Sequence, residues 1–454
     1  MTPPLSAKSK PRAVFTEGST MRHVIVMTAA TSAGLMAIFA VDLLSLFWIS
    51  RLGDPRLTAA VGFAGQVLFF LISINIGVSI AIGALVSRAL GADDKAAARR
   101  LAASGLAHTT LTSAPVAAAA WLFRREILIL LGARDVTLEA ASVYLAISLP
   151  AMILLGLGMA LASILRAAGD AKGSMHVTLW GAIATAVLDP LFIFGLGLGI
   201  TGAAIAGVIA RTVALAIGLQ GAAGKHDLIA KPAARGVLVD LAPMMGIAVP
   251  AILTNLAAPF ANAYTIKIFA HFGEPVVAAF TIIDRLTPVA FGVLFALSSS
   301  VGPIMGQNLG ARLLGRVRQV LTDCLTFASL YVLGVSIILR FAAPLITSLF
   351  QAQGETAKLI VFVCTYSGAL WLPLGAIFVA NAAFNNLGFP LLSTFMNWGR
   401  ATLGTLPFVT VGASRFGPEG GYAGLIAGSA LFGAAAVAAA YKVTGRLAKG
   451  SKVL

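Results

Sequence analysis

Twelve long apolar runs separated by short polar breaks constrain this chain more than any other feature. They lie roughly at 24–50, 57–87, 101–123, 140–166, 175–196, 201–222, 244–270, 276–305, 319–343, 359–384, 391–413 and 420–443. A helix needs ~20 mostly apolar residues to cross the hydrocarbon of a bilayer, and these runs meet that length. Charged residues make up 11% of the chain, against roughly 25% in a soluble domain. The expectation is an all-α polytopic membrane protein with twelve transmembrane helices.

The formal charge of +15 does not point to nucleic acid, because the basic residues fall between the apolar runs, as membrane topology requires. With residues 1–23 inside, the inner segments hold 20 of the 32 Lys and Arg and the outer segments 8. That bias places both termini in the cytoplasm of a multi-pass protein of the cell (inner) membrane. Residues 1–23 are polar and lack the apolar core of a signal peptide, so they read as a disordered cytoplasmic tail. The only cysteines, Cys324 and Cys364, fall inside spans. They offer no disulfide framework, and no metal motif accompanies them. No cluster of His, Glu or Ser within the spans suggests a membrane-embedded enzyme.

The halves of the chain repeat each other. "RLGDPRLTAA" at 51–60 parallels "HFGEPVVAAF" at 271–280, "RALGADDKAAAR" at 88–99 parallels "QNLGARLLGRVR" at 307–318, and "LWG" at 179–181 parallels "NWG" at 397–399, at an offset near 220. Six spans per half bring both halves in from the same side, so the expected architecture is two six-helix lobes related by a parallel pseudo-twofold repeat. The lobes fall at 24–222 and 244–444, joined by a cytoplasmic linker at 223–243, with tails at 1–23 and 445–454. Two repeated lobes around a cleft suit a secondary transporter whose site lies near mid-membrane.

Two carboxylates interrupt the spans of the first lobe: Asp42 in "FAVDLLSLF" and Asp189 in "TAVLDPLFIFG". An acid at the centre of a span costs ~2.5–3.5 kcal/mol on insertion scales and is a functional candidate for that reason. The repeat aligns Asp42 with Asn262, so the second lobe keeps polarity there without charge. Nine residues separate Asp42 from Arg51 and six separate Asp189 from Gly195, which gives depths of ~13 and ~9 Å. One shared pocket is expected, with Ser45 and Thr185 one turn away on the same faces. Carboxylates that share a low-dielectric site can take up a proton near neutral pH. The competing reading is a hydrogen-bonded acid that ties helices together. Arg211 lies at matching depth on the next span, one turn beyond Gly207, and is expected to approach Asp189 as a fixed cation that disfavours sodium. In the second lobe, Lys267 and Asp284 fall at similar depth across a hairpin and are expected to form a structural ion pair. Gln66, Asn255, Asn262, Arg285, Asn381 and Asn385 are candidates for a substrate cavity, although each Asn or Gln taken alone also suits a helix–helix hydrogen bond. "GLGITG" at 197–202 matches a dinucleotide fingerprint, but no βαβ unit surrounds it. It reads as a tight turn.

The stretches "VDLLSLFWISRLGD", "LRAAGDAK", "VLDPLFIFGLGLGITGAAIAG" and "GPIMGQNLGA" resemble the multidrug and toxic compound extrusion (MATE) transporters, most closely their DinF-like prokaryotic branch. The resemblance implies a two-lobed antiporter that expels amphiphilic, often cationic, small molecules by alternating access. Its coupling acids would be Asp42 and Asp189. It implies no bound cofactor beyond a proton gradient, with sodium as the alternative ion, and no partners beyond substrate and membrane lipids, the protein acting as a monomer. Members commonly carry an Asn one turn before the second Asp and a Thr on the sixth helix, where this chain has Thr185 and Gly207. Their first helix often bends at a proline, and none occurs here between Met21 and Asp54. Gly34 is the nearest soft point. Within the same superfamily the competing function is flipping of lipid-linked saccharides.

Overall fold

A computed structural model describes residues 13–448 of the chain. Fourteen α-helices and no strand occur among them. The first lobe contains α1 (Thr20–Ser50), α2 (Pro55–Gly91), α3 (Lys95–Leu122), α4 (Arg124–Leu130), α5 (Asp135–Ser148), α6 (Met152–Ala167), α7 (Ala171–Pro190) and α8 (Gly199–Leu219). The second contains α9 (Ala234–Ala270), α10 (Glu274–Gly310), α11 (Leu314–Leu349), α12 (Gly354–Leu387), α13 (Pro390–Gly399) and α14 (Leu406–Ala448). Wider π turns extend α7 over Leu191–Gly195, α8 over Gln220–Lys225 and α13 over Arg400–Gly404.

Among the described residues, nine helical stretches are long and apolar enough to cross a membrane, or ten when α5 and α6, bent by 49°, count as one. The twelve runs read from hydropathy exceed that count by two. One is α3, whose first turns carry Lys95, Arg99 and Arg100. The other arises because Pro390–Ala448 forms one 59-residue stretch. That stretch is interrupted at Phe416 and Gly417, ahead of Pro418, where Gly417 takes φ 68° and ψ −159°, a conformation open to glycine.

Polar residues in the breaks start the helices. Asp54 caps α2 ahead of Pro55, Asp94 caps α3 through the Ala97 amide at 2.8 Å, and Asp170 caps α7 through the Gly173 amide at 2.8 Å. Each supplies an acceptor to an amide that the helix cannot satisfy itself.

The repeat is visible where α2 and α10 cross. Both helices are 37 residues long. A side chain at Gly91 would collide with the carbonyl of Gln307, and one at Gly310 with the carbonyl of Arg88. Shifting 88 and 91 by 219 gives 307 and 310, so each contact is the image of the other. Ser87 meets Gly306, its own image under the same shift. Reciprocal contacts of this kind mark a twofold axis, here a pseudo-twofold within one chain.

At this end, which also carries the connection between α8 and α9, the lobes are joined. Arg88 donates from Nε to the carbonyl of Asn386 at 2.9 Å and from Nη2 to that of Asn385 at 3.3 Å. Residues 13–19, within the segment read as a disordered tail, are ordered. They form a strap across the joint, because their exposed carbonyls and one aromatic side chain find partners there. Phe15 is buried, and its amide donates to Gln307 Oε1 at 2.9 Å. Gln307 Nε2 in turn donates to the carbonyl of Ala167 at 2.7 Å. Asn308 and Arg316 donate to the Phe15 carbonyl at 3.1 and 3.0 Å, and Thr20 donates to Asp323. Residues 1–12 and 449–454, expected in the two tails, lie outside the described residues.

Candidate functional site

In the half of the molecule away from the joined end, α1, α9 and α10 enclose a cavity of about 340 Å³. Helix α1 contributes Phe39, Asp42 and Leu43, α9 contributes Asn262 and Ile266, and α10 contributes Phe280, Thr281, Asp284, Arg285, Pro288 and Val289. The helical period explains the last set. Phe280, Asp284 and Pro288 form one stripe at spacing four, and Thr281, Arg285 and Val289 form the neighbouring stripe. The cavity therefore lies between the lobes, and the repeat-related Asp42 and Asn262 both line it. All four of its polar long side chains, Asp42, Asn262, Asp284 and Arg285, are exposed. None makes a side-chain hydrogen bond or an ion pair to another described residue.

Asp189 stands behind this surface, on α7, and is 1% exposed. Ser45, one turn beyond Asp42 on α1, donates its hydroxyl to Asp189 Oδ2. The other oxygen, Oδ1, is buried and accepts no hydrogen bond. Asp42 and Asp189 thus occupy successive layers of one site, with the first on the cleft and the second buried, and they lie within electrostatic reach of each other. Close packing of α1 on α7 holds them there. A side chain at Gly34 would collide with the hydroxyl of Thr178, so glycine lets the two helices meet. Helix α1 runs unbroken from Thr20 to Ser50. Thr185 donates to its own helix, at the Gly181 carbonyl. A Cβ at Gly207 would meet nothing within 4 Å, so space is open at that position.

Three expectations from the sequence fail. Arg211 makes no ion pair with Asp189. Its Nη1 donates to the carbonyl of Ser148 at 3.1 Å, one of the last carbonyls of α5, where the bend into α6 leaves acceptors without helical partners. Its charge acts instead on Asp42 and on Tyr144, which sequence reasoning missed. Lys267 and Asp284 make no pair either. Asn262 and Ile266 face the cavity at spacing four, and Lys267, one residue on, is turned ~100° away, while Asp284 faces the cavity. Asn381 and Asn385 do not line this cavity. They are buried between α12 and α13, where Asn397 donates to Asn381 Oδ1 at 3.0 Å and Ser393 to Asn385 Oδ1 at 3.1 Å. Asn255 donates to the Ala251 carbonyl of its own helix at 2.8 Å, and Gln66 is exposed on α2 outside the cavity lining. Gly197 and Gly199 of the fingerprint-like stretch adopt φ 65° and 54° in the turn before α8. Among the described residues no three His, Cys, Asp or Glu are grouped to hold a metal ion.

A two-lobed helical bundle with a charged cleft between its halves defines a membrane carrier, not an enzyme. The sequence profile of the MatE family matches residues 25–191 and 250–410, and the chain belongs to that family. It is 31% identical over 408 residues to a protein of Shewanella oneidensis MR-1 named FAD transporter, covering 88% of this chain and 89% of that one. It is 23% identical to the multidrug export protein MepA of Staphylococcus aureus, covering 82% and 80%. The Vibrio cholerae MATE transporter VcmN, crystallised in its bent form, has the same fold. It superposes with a TM-score of 0.88 at 25% identity, over 94% of this chain and 98% of that one.

Proposed function

We propose that this protein is a secondary active exporter that expels amphiphilic, often cationic, compounds and is coupled to inward proton movement through Asp42, with Asp189 as its buried partner. The observation that carries the reading is the linked pair of layers. Asp42 lies on the substrate-sized cleft, and Ser45 on the same helix holds a second carboxylate that keeps one oxygen buried without a donor. An ionised oxygen buried without a donor is costly, and an incoming cation offsets that cost. When Asp42 or Asp189 gains or loses a proton, the charge on α1 changes, and α1 touches both lobes through α7 and α10. Six apolar side chains beside two acids, Asp42 and Asp284, also suit an amphiphilic cation.

The test is a susceptibility panel in an efflux-deficient host, followed by transport in proteoliposomes. Wild type should export in sodium-free buffer and stop with a protonophore, and Asp42→Asn should lose gradient-driven export while still folding. Full export by Asp42→Asn would overturn the role of Asp42, and a strict sodium requirement would replace protons by sodium. The 31% identical relative named FAD transporter motivates a second reading, in which a flavin dinucleotide is cargo. Gradient-driven uptake of FAD into the same vesicles tests it.

A further inference from the structure

The cleft carries a cation that neither coupling nor folding uses. Arg285 lines the cavity and is exposed to it. It makes no ion pair and no side-chain hydrogen bond with any described residue. Asp284 is its chain neighbour but projects from the adjacent stripe of α10, and the two do not pair. Arg88, Arg166 and Arg211, all half-buried, donate to protein acceptors, at the Asn385 and Asn386 carbonyls, Ser174 and Ser148, whereas half-buried Arg400 keeps a buried Nε without a partner but does not line the cavity. The shift of 219 that relates α2 to α10 places Gly65 and Gln66 opposite Asp284 and Arg285, so this charge pair belongs to the second lobe alone. A guanidinium keeps its charge and offers a planar fork of donors matched to carboxylate and phosphate.

We infer that Arg285 is a specificity-determining residue. It receives an acidic group of the substrate, a carboxylate or a phosphate, while Asp284 faces the substrate's cationic or donor groups and Phe39, Phe280, Ile266 and Val289 hold its apolar body. The cargo then includes zwitterionic and acidic amphiphiles as well as simple cations. This inference rests on the reading of the cleft as the substrate site. Arg285 is distinct from the coupling acids, because it stands on the opposite lobe from Asp42 and its charge is fixed.

Two fluorescent dyes that differ by one methyl group isolate the interaction. Rhodamine 110 carries a free carboxyl group, and rhodamine 123 is its methyl ester. Transport of each into energised inside-out vesicles is measured for wild type, Arg285→Gln and Arg285→Lys. The expected result is that Arg285→Gln raises KM for rhodamine 110 about tenfold, the effect of one charged contact, and leaves rhodamine 123 within about twofold. Arg285→Lys should recover part of the loss, since a lysine restores the charge without the fork. Equal effects on acid and ester, or none on the acid, would overturn the role of Arg285 while leaving the exporter reading intact. Failure of wild-type vesicles to move either dye, with Asp42→Asn indistinguishable from wild type, would remove both.

Discussion

The hydroxyl of Ser45 is the link between the two acids. Its removal in Ser45→Ala leaves Asp189 with both oxygens lacking a side-chain donor, at a cost of ~1–3 kcal/mol for a buried group. Gradient-driven export should fall at least tenfold in this variant, while binding of a cationic dye to the cleft, measured by fluorescence in detergent, stays within about twofold. An equal loss of binding would show that Ser45 shapes the cleft instead. Outside the membrane, Asp170 ties the connection between the lobes to the cap of α7. His226 contacts its carboxylate at 2.7 Å and Lys225 at 2.8 Å. The His226 contact, followed by those of Lys225 and the Gly173 amide, outweighs partial burial and holds the Asp170 carboxyl well below the usual carboxylate range. A depressed acid stabilises the fold at pH values above its unfolded value and loses that contribution as pH falls through the folded one. Asparagine caps a helix as well as aspartate does, so Asp170→Asn removes the charge alone. Its melting temperature should lie below wild type at neutral pH and converge on it below about pH 4.

Packing of α1 against α7 shows what sequence spacing conveys about an element and what it does not. Gly34 is the nearest soft point in a helix without proline, yet α1 is unbroken, and the glycine serves contact with Thr178. Gly34→Ala should slow export and lower thermal stability by the ~1–3 kcal/mol typical of overpacking. Thr178→Ala, harmless alone, should restore much of both, and a double-mutant cycle measures the coupling. Depth along a span is legible in the sequence, because residues rise by a fixed step and polar breaks mark the ends. Depth brings Ser45 to Asp189, whereas the pocket expected to hold both acids is lined by Asp42 without Asp189. Rotation about the axis is not legible from depth. One residue turns a side chain by ~100°, and this separates Lys267 from the cavity that Asn262 and Ile266 face. The same limit hides Tyr144 and the Ser148 carbonyl that draws Arg211 away from Asp189. The two stripes of α10 are present in "FTIIDRLTPV" as a spacing of four, and reading Asp284 with Phe280 and Pro288 would have assigned it to the cleft.

Across the whole molecule, the repeat in sequence becomes a pseudo-twofold in space, since helices of equal length carry glycines at equivalent positions. Chemistry does not follow that symmetry: the buried Asp189 belongs to the first lobe, and Asp284 and Arg285 face the cleft from the second. The strap at residues 13–19 is hidden in the sequence because a polar, Pro-containing stretch carries no periodicity. Its anchor is one aromatic side chain and a series of backbone groups. Its hydrogen bonds run to Gln307, Asn308 and Arg316 of the second lobe, while Val14 lies against Gly169 of the first, so opening at that end disturbs it. In a background with Cys324 and Cys364 replaced, a cysteine at Ala167, buried under Gln307, reports such opening through its labelling rate. Phe15→Ala should raise that rate about tenfold or more, since each ~1.4 kcal/mol of lost strap binding changes the open population tenfold. An unchanged rate would mean that the strap follows the motion without restraining it.

Where α2 crosses α10 the surfaces in contact are main chain on main chain, at Gly91 and at Gly310. Mechanically this is a bearing. Beside these bare contacts, Ser87 meets Gly306 and Arg88 reaches the Asn385 and Asn386 carbonyls, so turning there must slide one and break the other. Resistance to turning then resides in those Arg88 bonds, in the strap and in whatever fills the cleft. Any side chain placed at Gly91 would overlap the main chain of Gln307, so it would push the two helices apart at the axle and act as a brake on turnover.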